Sequence, residues 1–234
     1  MLISYCVPCM NRAYDLKITL PFTIIAANNS QPIEIVILDY DSKDNLVEYV
    51  EEVQKSCKFL LLVKSYDHKY YSPTHARNIV NLASHGEYII TSDVDIILHD
   101  DFFKIIRNII EKENPVWMYE KKDSGIMGRP PIFKRDEYIA AGGYDERFNV
   151  CGPDDKDICM RMLRRGGKHA SYPMNLYEEI YTPYKEKYRN MDITPYKNER
   201  QIKLMMSRAM RKFYEENNEK GSLVANEGKD WGVP

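Results

Sequence analysis

The chain has 234 residues, with 33 basic and 35 acidic side chains and a formal net charge of −2 at pH 7. A chain this close to neutral has no overall field that points to nucleic acid or an anionic membrane as its partner. The length suits one large domain with or without an appendage, and no apolar run reaches the length of a membrane span.

The cysteines and the N-terminus indicate the compartment. The five cysteines are an odd number without a framework spacing, and Cys6 and Cys9 form a lone CxxC that lacks the second pair of a zinc site. We therefore expect reduced, partly buried thiols. The opening residues, MLISYC, are typical of a short strand and not of a signal peptide. These features predict a soluble, cytoplasmic protein without stable membrane insertion.

The first half of the chain alternates strands with helices. Strands are predicted at residues 2–7, 33–38, 59–63 and 86–98, and helices at residues 14–29, 43–56, 73–86 and 100–113. Pro8 is expected to end the first strand, and Pro21 to kink or split the first helix. Ser72 and Pro73 are favourable as the N-cap and first residue of the third helix. The alternation predicts a mostly parallel sheet flanked by helices.

The stretch GEYIITSDVDIIL, residues 86–98, carries two carboxylates inside an apolar run. If the chain stays extended past Ser92, Asp93 and Asp95 project to the same side, because side chains alternate along a strand. Two neighbouring carboxylates repel each other unless a cation or hydrogen-bond donors lie between them. A hard divalent ion is the natural ligand for such a pair. Two solvated loop acids are the alternative.

Other polar residues follow the ends of neighbouring predicted strands. The first strand leads into residues 8–12, the second into Asp39, and the fourth into Asp93 and Asp95. Ligands of parallel sheets bind beyond the carboxyl ends of the strands. We expect these segments to meet at one edge.

After Pro115 the alternation loosens. Short strands are predicted at residues 116–119, 131–134 and 168–172, and helices at residues 135–141 and 154–165. Asp154, Asp155 and Asp157 fall in the first turn of the second of these helices. Carboxylates stabilise the positive end of a helix, so a structural role and a role in the site both stay open for these three residues.

The remainder, from residue 177, is polar and rich in tyrosine. A helix is predicted at residues 198–216, and its apolar stripe comprises Ile202, Met205, Met206, Ala209 and Phe213. We expect the stripe to pack against its own domain, and homo-oligomerisation through this helix stays open. Residues after Asn217 are expected to be flexible.

Four segments, in this order, resemble the GT-A glycosyltransferases of family 2, and the later ones also resemble galactosyltransferase-like relatives. They are VPCMNR, ILDYDSKD, HARNIVNLASHGEYIITSDVD, and FKRDEYIAAGGYDERF followed by GPDDKDICMR. The resemblance covers residues 2–172. It implies a GT-A catalytic domain at 1–176, with a nucleotide-sugar-binding half at 1–98 and an acceptor-binding half at 99–176. Residues 177–234 would be a helical C-terminal extension.

The resemblance implies a metal-dependent, inverting hexosyltransferase that takes its sugar from a nucleotide-sugar, most readily a UDP-sugar. Asp39 would accept a hydrogen bond from the uracil, and Pro8 and Arg12 would shape the wall beside the base and ribose. Arg77 would pair with the acids or with the diphosphate. Asp93 would contact the ribose or the metal.

The resemblance also assigns the reaction centre. Asp95, with Asp93, would ligate Mn²⁺ or Mg²⁺. Asp155 would be the general base that takes the proton from the acceptor hydroxyl. Gly152 and Asp154 would contact the acceptor.

Three departures from the family pattern concern details of the site. Asp41 replaces the glycine of the D-D-G-S segment, and Asp154 replaces a glutamate. Relatives often supply a metal-binding histidine after the late strand, and this sequence has none there; His169 is expected to be a strand residue. The third metal ligand would then be water or the diphosphate.

Two other functions stay open at this point. A nucleotidyltransferase of similar architecture usually has a glycine-rich first loop, and CMNR contains no glycine. A catalytically silent nucleotide-sugar-binding domain is the second, although the set of acids is intact. The acceptor is undetermined among a glycan, a protein side chain, a lipid-linked glycan and a modified nucleobase.

Overall fold

The computed structural model describes residues 1–121, 127–192 and 199–234. In chain order the elements are β1 (Ile3–Cys9), α1 (Ala13–Asn28), β2 (Ile33–Tyr40), α2 (Leu46–Gln54), β3 (Leu60–Ser65), α3 (Pro73–Ala83), β4 (Tyr88–Thr91), β5 (Ile96–Leu98), α4 (Phe102–Glu113), β6 (Trp117–Lys121), β7 (Met127–Lys134), α5 (Arg135–Ala140), α6 (Asp154–Arg164), β8 (His169–Tyr172), β9 (Tyr177–Glu179), α7 (Tyr184–Tyr188) and α8 (Glu199–Glu219).

Seven of the strands form a central sheet in the order β3-β2-β1-β4-β7-β6-β8. The strands β3, β2, β1 and β4 run parallel to one another, as the alternation of strands and helices predicts. The strand β7 runs antiparallel to both of its neighbours, and β8 is again parallel to β6. The sheet is therefore mixed but mostly parallel.

Helices cover both faces of this sheet. On one face, α1, α2 and α4 contribute Leu16, Leu46 and Phe103 to a core cluster, and on the other face α3, α5 and α6 contribute Ile79 and Tyr138 among others. All residues of β1 and β2 are buried, because these central strands are covered on both sides. The three-layer arrangement predicted from the alternation is confirmed.

The CxxC of β1 is not a chelating pair. Cys6 belongs to the core cluster on one face of the sheet and Cys9 to the cluster on the other face. Residues three apart on a strand point to opposite faces, so the two sulfurs cannot share an ion. All five cysteines are free thiols, and four of them are buried.

Neither proline ends its element. Pro8 lies within β1, in the part of the strand beyond Cys6 where the pairing with β4 has ended and the pairing with β2 continues. Proline has no backbone N–H to donate, so it is tolerated where one side of a strand has no hydrogen-bonded neighbour. Pro21 lies within α1, which runs unbroken from Ala13 to Asn28.

The stretch 86–98 is not one strand. It contains β4, which ends at Thr91, a turn at Val94–Asp95, and then β5. The strand β5 leaves the main sheet and pairs antiparallel with β9 instead. The two carboxylates therefore lie in a connection between two sheets and not along an extended strand.

The C-terminal residues pack on the rest of the molecule. In α8, Met206 and Met210 are buried against Phe148 and Val150. Ala209, expected in the buried stripe, is exposed, while Ile202 and Met205 lie outside the described side chains. Beyond the helix, residues 225–232 form hydrogen bonds with the loop that follows α5. The flexibility expected after Asn217 is therefore wrong.

None of the helices in the described ranges is both long enough and apolar enough to cross a bilayer.

Candidate active site

A cavity of about 390 Å³ opens at the carboxyl edge of the parallel strands. Its walls come from the loop after β1, the start of α3, the β4–β5 connection, the start of α6 and the segment around α7. The lining residues are Pro8, Cys9, Met10, Arg12, Tyr71, Pro73, Arg77, Asp93, Val94, Asp95, Cys151, Gly152, Asp154, Asp155, Lys187, Tyr188, Asn190 and Met191. Eight of the nine residues predicted for the site are among them, and Asp39 is not.

Asp93 and Asp95 both line the cavity, although the backbone of residues 93–95 is not extended. The Ser92 N–H donates to the Cys6 carbonyl (2.9 Å), which holds the start of the connection against β1. The Asp95 carbonyl accepts from the Ile180 N–H (2.8 Å), which ties its end to the segment after β9. The Asp93 side chain is 31% exposed and that of Asp95 is 5% exposed. The turn, and not strand alternation, brings the pair to one place.

Positive charge gathers around Asp95. Its Oδ2 lies 3.6 Å from Arg12 Nη2 and 3.4 Å from Lys187 Nζ. Arg12 also pairs with Asp15, and although burial alone would lower the pKa of Arg12, the hydrogen bond and charge of Asp15 raise it. Asp95 is thus a buried carboxylate whose negative charge is balanced by two neighbouring cationic side chains.

The donor set at this corner suits a hard divalent ion. Asp93 and Asp95 offer carboxylate oxygens, the ligand type that Mg²⁺ and Mn²⁺ prefer. Within the described parts of the chain, no group of three or more His, Cys, Asp or Glu side chains could hold a metal. His169 is a strand residue of β8, as expected, and its ring stacks on Trp117. The two aspartates fit the metal, and the other ligands would come from the diphosphate or from water.

Arg77 connects the two groups of acids. It lies on α3, and its guanidinium is 2.5 Å from Asp154 Oδ2, 3.2 Å from Asp93 Oδ1 and 3.5 Å from Asp155 Oδ1. Its side chain is 7% exposed. Burial alone would lower the pKa of Arg77, but the charges of Asp155, Asp154 and Asp93 raise it well above its usual value. Arg77 is therefore a permanent cation that balances a cluster of carboxylates.

The acids at the start of α6 divide into two groups. Asp154 and Asp155 line the cavity beside Arg77. Asp157 points away, because it accepts from Arg161 Nε (2.9 Å) and from Asn217 Nδ2 (2.8 Å) in the interior. The first turn thus serves both the cavity and the packing of α6.

Asp39 lies one strand away from the cavity wall. Its Cα registers with that of Cys9, which lines the cavity, but Asp39 is only 2% exposed. Its Oδ1 accepts from the Ser42 N–H (2.9 Å), and the Ser42 hydroxyl accepts from the Asn11 N–H (3.0 Å). The carboxylate therefore holds the 39–42 turn against the loop after β1.

Sequence reasoning missed the segment 182–191 as part of the site. Arg12 donates to the Thr182 hydroxyl (3.0 Å). Asn190 donates through Nδ2 to the Met10 carbonyl (2.7 Å), and its own carbonyl accepts from the Tyr71 N–H (2.6 Å). Lys187 reaches Asp95. The stretch shows no hydrophobic periodicity, and its mixture of charges and tyrosines was the sole sequence signal.

Three comparisons with known proteins bear on this arrangement. A model of the family described as Glycosyl transferase family 2 matches residues 4–190. A sequence comparison with curated proteins found no match.

Solved structures share the fold at low sequence identity. TarS 1–349 of S. aureus in complex with UDP has a TM-score of 0.64 at 14% identity, over 94% of this chain and 74% of its own. The mannosyltransferase PcManGT of Pyrobaculum calidifontis, in complex with GDP-Man and Mn²⁺, has a TM-score of 0.65 at 17% identity, over 77% of this chain and 57% of its own.

A third structure is glucosyl-3-phosphoglycerate synthase of Mycobacterium tuberculosis in complex with Mn²⁺, UDP and glucosyl-3-phosphoglycerate. Its TM-score is 0.58 at 13% identity, over 80% of this chain and 74% of its own. These likenesses show that the chain has the GT-A fold. The family match spans most of the chain and includes every residue that lines the cavity except Met191. The chain belongs to glycosyl transferase family 2.

Proposed function

We propose that this protein transfers a sugar from a nucleotide-sugar to an acceptor hydroxyl, with inversion at the anomeric carbon and with Asp155 as the general base. The observation that carries the proposal is the meeting of two acid pairs at one cavity. Asp93 and Asp95 lie at one side and Asp154 and Asp155 at another, with Arg77 between them. The first pair would serve the donor diphosphate and the second the acceptor hydroxyl, so that the two would be brought to opposite sides of the anomeric carbon.

The donor is proposed to lie between the loop after β1 and the β4–β5 connection. Pro8 and Arg12 line this part of the cavity. UDP is the proposed nucleotide, because TarS and glucosyl-3-phosphoglycerate synthase were solved with UDP. Asp39 is buried behind Cys9, so we assign it a supporting role: it fixes the turn at Ser42 and does not contact the base.

Asp93 and Asp95 would hold a divalent cation, Mn²⁺ or Mg²⁺, as the donor set allows. Such an ion supplies charge that stabilises the departing nucleoside diphosphate. Around it, Arg12 and Lys187 add fixed positive charge beside Asp95. This part of the cavity is therefore suited to a diphosphate.

Asp155 is proposed to accept the proton of the attacking hydroxyl. Its side chain is 27% exposed at the cavity wall, so a carboxylate oxygen is accessible to a substrate. Asp154, 7% exposed and paired with Arg77, and Gly152 would lie against the acceptor. One base and a direct displacement invert the anomeric centre, because the hydroxyl attacks the face opposite the leaving group.

The proposal is tested with a donor panel of UDP-glucose, UDP-N-acetylglucosamine and GDP-mannose, with and without Mn²⁺. Release of the nucleoside diphosphate is measured with water as the acceptor, for wild type and for Asp95→Ala and Asp155→Asn. We expect Asp95→Ala to lose roughly a hundredfold or more of the Mn²⁺-dependent rate. Asp155→Asn should lose about a hundredfold or more while it still binds UDP.

The control is Asp100→Ala, which removes an exposed acid outside the cavity and should leave the rate unchanged. Full activity of Asp95→Ala, or of wild type in chelator, would contradict the metal site. Loss of UDP binding by Asp155→Asn would show that this acid belongs to the donor site. Release of pyrophosphate in place of a nucleoside diphosphate would identify a nucleotidyltransferase, and UDP binding without turnover of any donor would identify a silent binding domain.

A further inference from the structure

The inference concerns Tyr144, a buried residue that touches Asp155 from behind the cavity wall. Tyr144 is fully buried, and its hydroxyl donates to Asp155 Oδ1 (3.0 Å). Its ring lies under the Arg77 guanidinium, with the guanidinium carbon 5.3 Å from the ring centre. Tyr144 is therefore in contact with the proposed base and with the cation that balances it, but it does not line the cavity.

The hydroxyl of Tyr144 acts as a donor and not as a phenolate. Burial and the charge of Asp155 raise the pKa of Tyr144 well above its usual value. Its proton therefore stays in place across the physiological range, and the hydrogen bond to Asp155 persists. A hydrogen bond to a charged acceptor is stronger and more directional than one between neutral groups, so it restricts the orientation of the carboxylate.

The backbone of Tyr144 is itself held from two sides. Asn78 of α3 accepts from the Tyr144 N–H through Oδ1 (2.8 Å) and donates to the Tyr144 carbonyl through Nδ2 (2.9 Å). From the other side, Asn226 Nδ2 donates to the same carbonyl (2.7 Å) and to the Gly142 carbonyl (2.9 Å). Asn226 Oδ1 also accepts from the Glu146 N–H (3.1 Å).

The backbone conformation of Asn226 suits this contact. It has a positive φ of 53°, a conformation in which asparagine is tolerated better than most residues. It also lies outside residues 4–190, the stretch that the family model matches. The C-terminal segment of this chain thus holds the loop that carries Tyr144 through hydrogen bonds.

We propose that Tyr144 is a positioning residue for Asp155, and that Asn226 keeps Tyr144 in the position from which its hydroxyl reaches the carboxylate. This inference rests on the proposed function, because it needs Asp155 to be the base. The tyrosine fixes one oxygen of the carboxylate beside Arg77 and so limits its rotation. The asparagine acts through the loop and touches no substrate.

The first test is Tyr144→Phe, which removes a single hydroxyl. Release of the nucleoside diphosphate from the same three donors is measured in wild-type and Asp155→Asn backgrounds, and UDP binding in the presence of Mn²⁺ is measured by calorimetry. We expect kcat to fall about fivefold to tenfold in the wild-type background, with UDP affinity unchanged. In the Asp155→Asn background the substitution should have no further effect, because residues that act as a unit are not additive.

Tyr172→Phe is the matched control. Tyr172 is 1% exposed and donates its hydroxyl to the Pro130 carbonyl (2.6 Å), so this variant loses a buried hydrogen bond away from the cavity. Its kcat should match that of wild type. Wild-type kcat in Tyr144→Phe, or equal losses in the two Asp155 backgrounds, would overturn the inference. An active Asp155→Asn, or a wild type inactive on all three donors, would instead refute the proposed function.

The second test, Asn226→Gly, keeps a residue that adopts positive φ readily and deletes the three amide hydrogen bonds. We expect a lower kcat with unchanged UDP affinity, and no further effect when Tyr144→Phe is already present. Asn175→Gly is the control, since Asn175 is exposed and also has a positive φ (65°). Additive losses in the double variant would show that Asn226 does not act through Tyr144.

Discussion

At the scale of single residues, Arg77 balances the negative charge of the carboxylates at the site. Three carboxylates, those of Asp93, Asp154 and Asp155, lie within 3.5 Å of its guanidinium nitrogens. Carboxylates gathered this closely repel one another unless a cation lies between them. A structural ion pair and a donor for the diphosphate were both compatible with the sequence, and the geometry gives Arg77 at least the first of these roles.

Arg77→Gln is expected to destabilise the protein by about 3 kcal/mol or more, because removal of one partner leaves buried charge without compensation. The free energy of unfolding from urea titrations at neutral pH measures it. Lys55→Gln is the contrast: Lys55 pairs with Glu52 where both side chains are more than 70% exposed, and such pairs contribute at most about 1 kcal/mol. Equal, small losses in both variants would show that the acids around Arg77 are neutralised by other groups.

Asp41 shows how a departure from the family pattern is accommodated. It replaces a glycine and has a φ of 57°, a left-handed conformation that favours glycine. Aspartate tolerates this region because its short side chain bonds locally. Here the carboxylate accepts from the His68 N–H (3.2 Å) and from Lys43 Nζ (2.5 Å). The turn therefore keeps a glycine-like backbone without a glycine.

At the scale of elements, the strands depend on polar contacts at the end opposite the cavity. Glu34 of β2 accepts from the Ser4 hydroxyl of β1 (2.5 Å) and from the His85 N–H (2.5 Å), which precedes β4. The three central strands are thus joined through one buried carboxylate. Burial acts to raise the pKa of Glu34, but the hydrogen bonds from His85 and Ser4 outweigh it, and the net pKa is lowered.

A carboxylate whose pKa is lowered by folding stabilises the folded state at pH values above its pKa in the unfolded chain, near 4.5. This contribution is lost as the pH falls through the pKa of the folded state. We therefore expect the urea midpoint of wild type to fall more steeply below pH 4.5 than that of Glu34→Gln. At pH 7 the variant should be less stable by about 1 kcal/mol. Glu52→Gln, at a side chain 71% exposed, should follow wild type. Parallel acid slopes for wild type and Glu34→Gln would contradict the prediction.

At the scale of the whole molecule, the C-terminal residues complete the face that carries α5 and α6. The Trp231 ring packs edge-on to Tyr138, with 6.3 Å between ring centres, and lies against Gly143. The Gly232 N–H donates to Glu146 Oε1 (2.8 Å). The last residues thus cover the loop from which Tyr144 reaches Asp155, so stability and geometry of the site are linked.

Trp231→Ala should therefore destabilise the protein by about 2 kcal/mol. This is less than the loss expected for the same substitution at a fully buried tryptophan, because the Trp231 ring is half-buried. Unfolding followed by circular dichroism measures this loss. The chain has two tryptophans, so the variant also isolates the fluorescence of buried Trp117. Val233→Ala, at a side chain 55% exposed, should change stability little. A Trp231→Ala variant as stable as wild type would show that the tail does not dock in solution.

By itself the sequence determined the class of fold and the acids of the site. Buried strands alternate with amphipathic helices, and this periodicity is local, so the parallel sheet followed from it. The residues after β1 and β4 were predictable for the same reason, since strand ends share an edge. The tertiary structure alone decided that Asp39 is buried behind Cys9, that a turn orients Asp93 and Asp95, that residues 182–191 border the cavity, and that residues 225–232 hold the loop that carries Tyr144. The last two of these outcomes depend on contacts between residues more than 80 positions apart in the chain, such as Lys187 with Asp95 and Asn226 with Tyr144, and no local pattern encodes them.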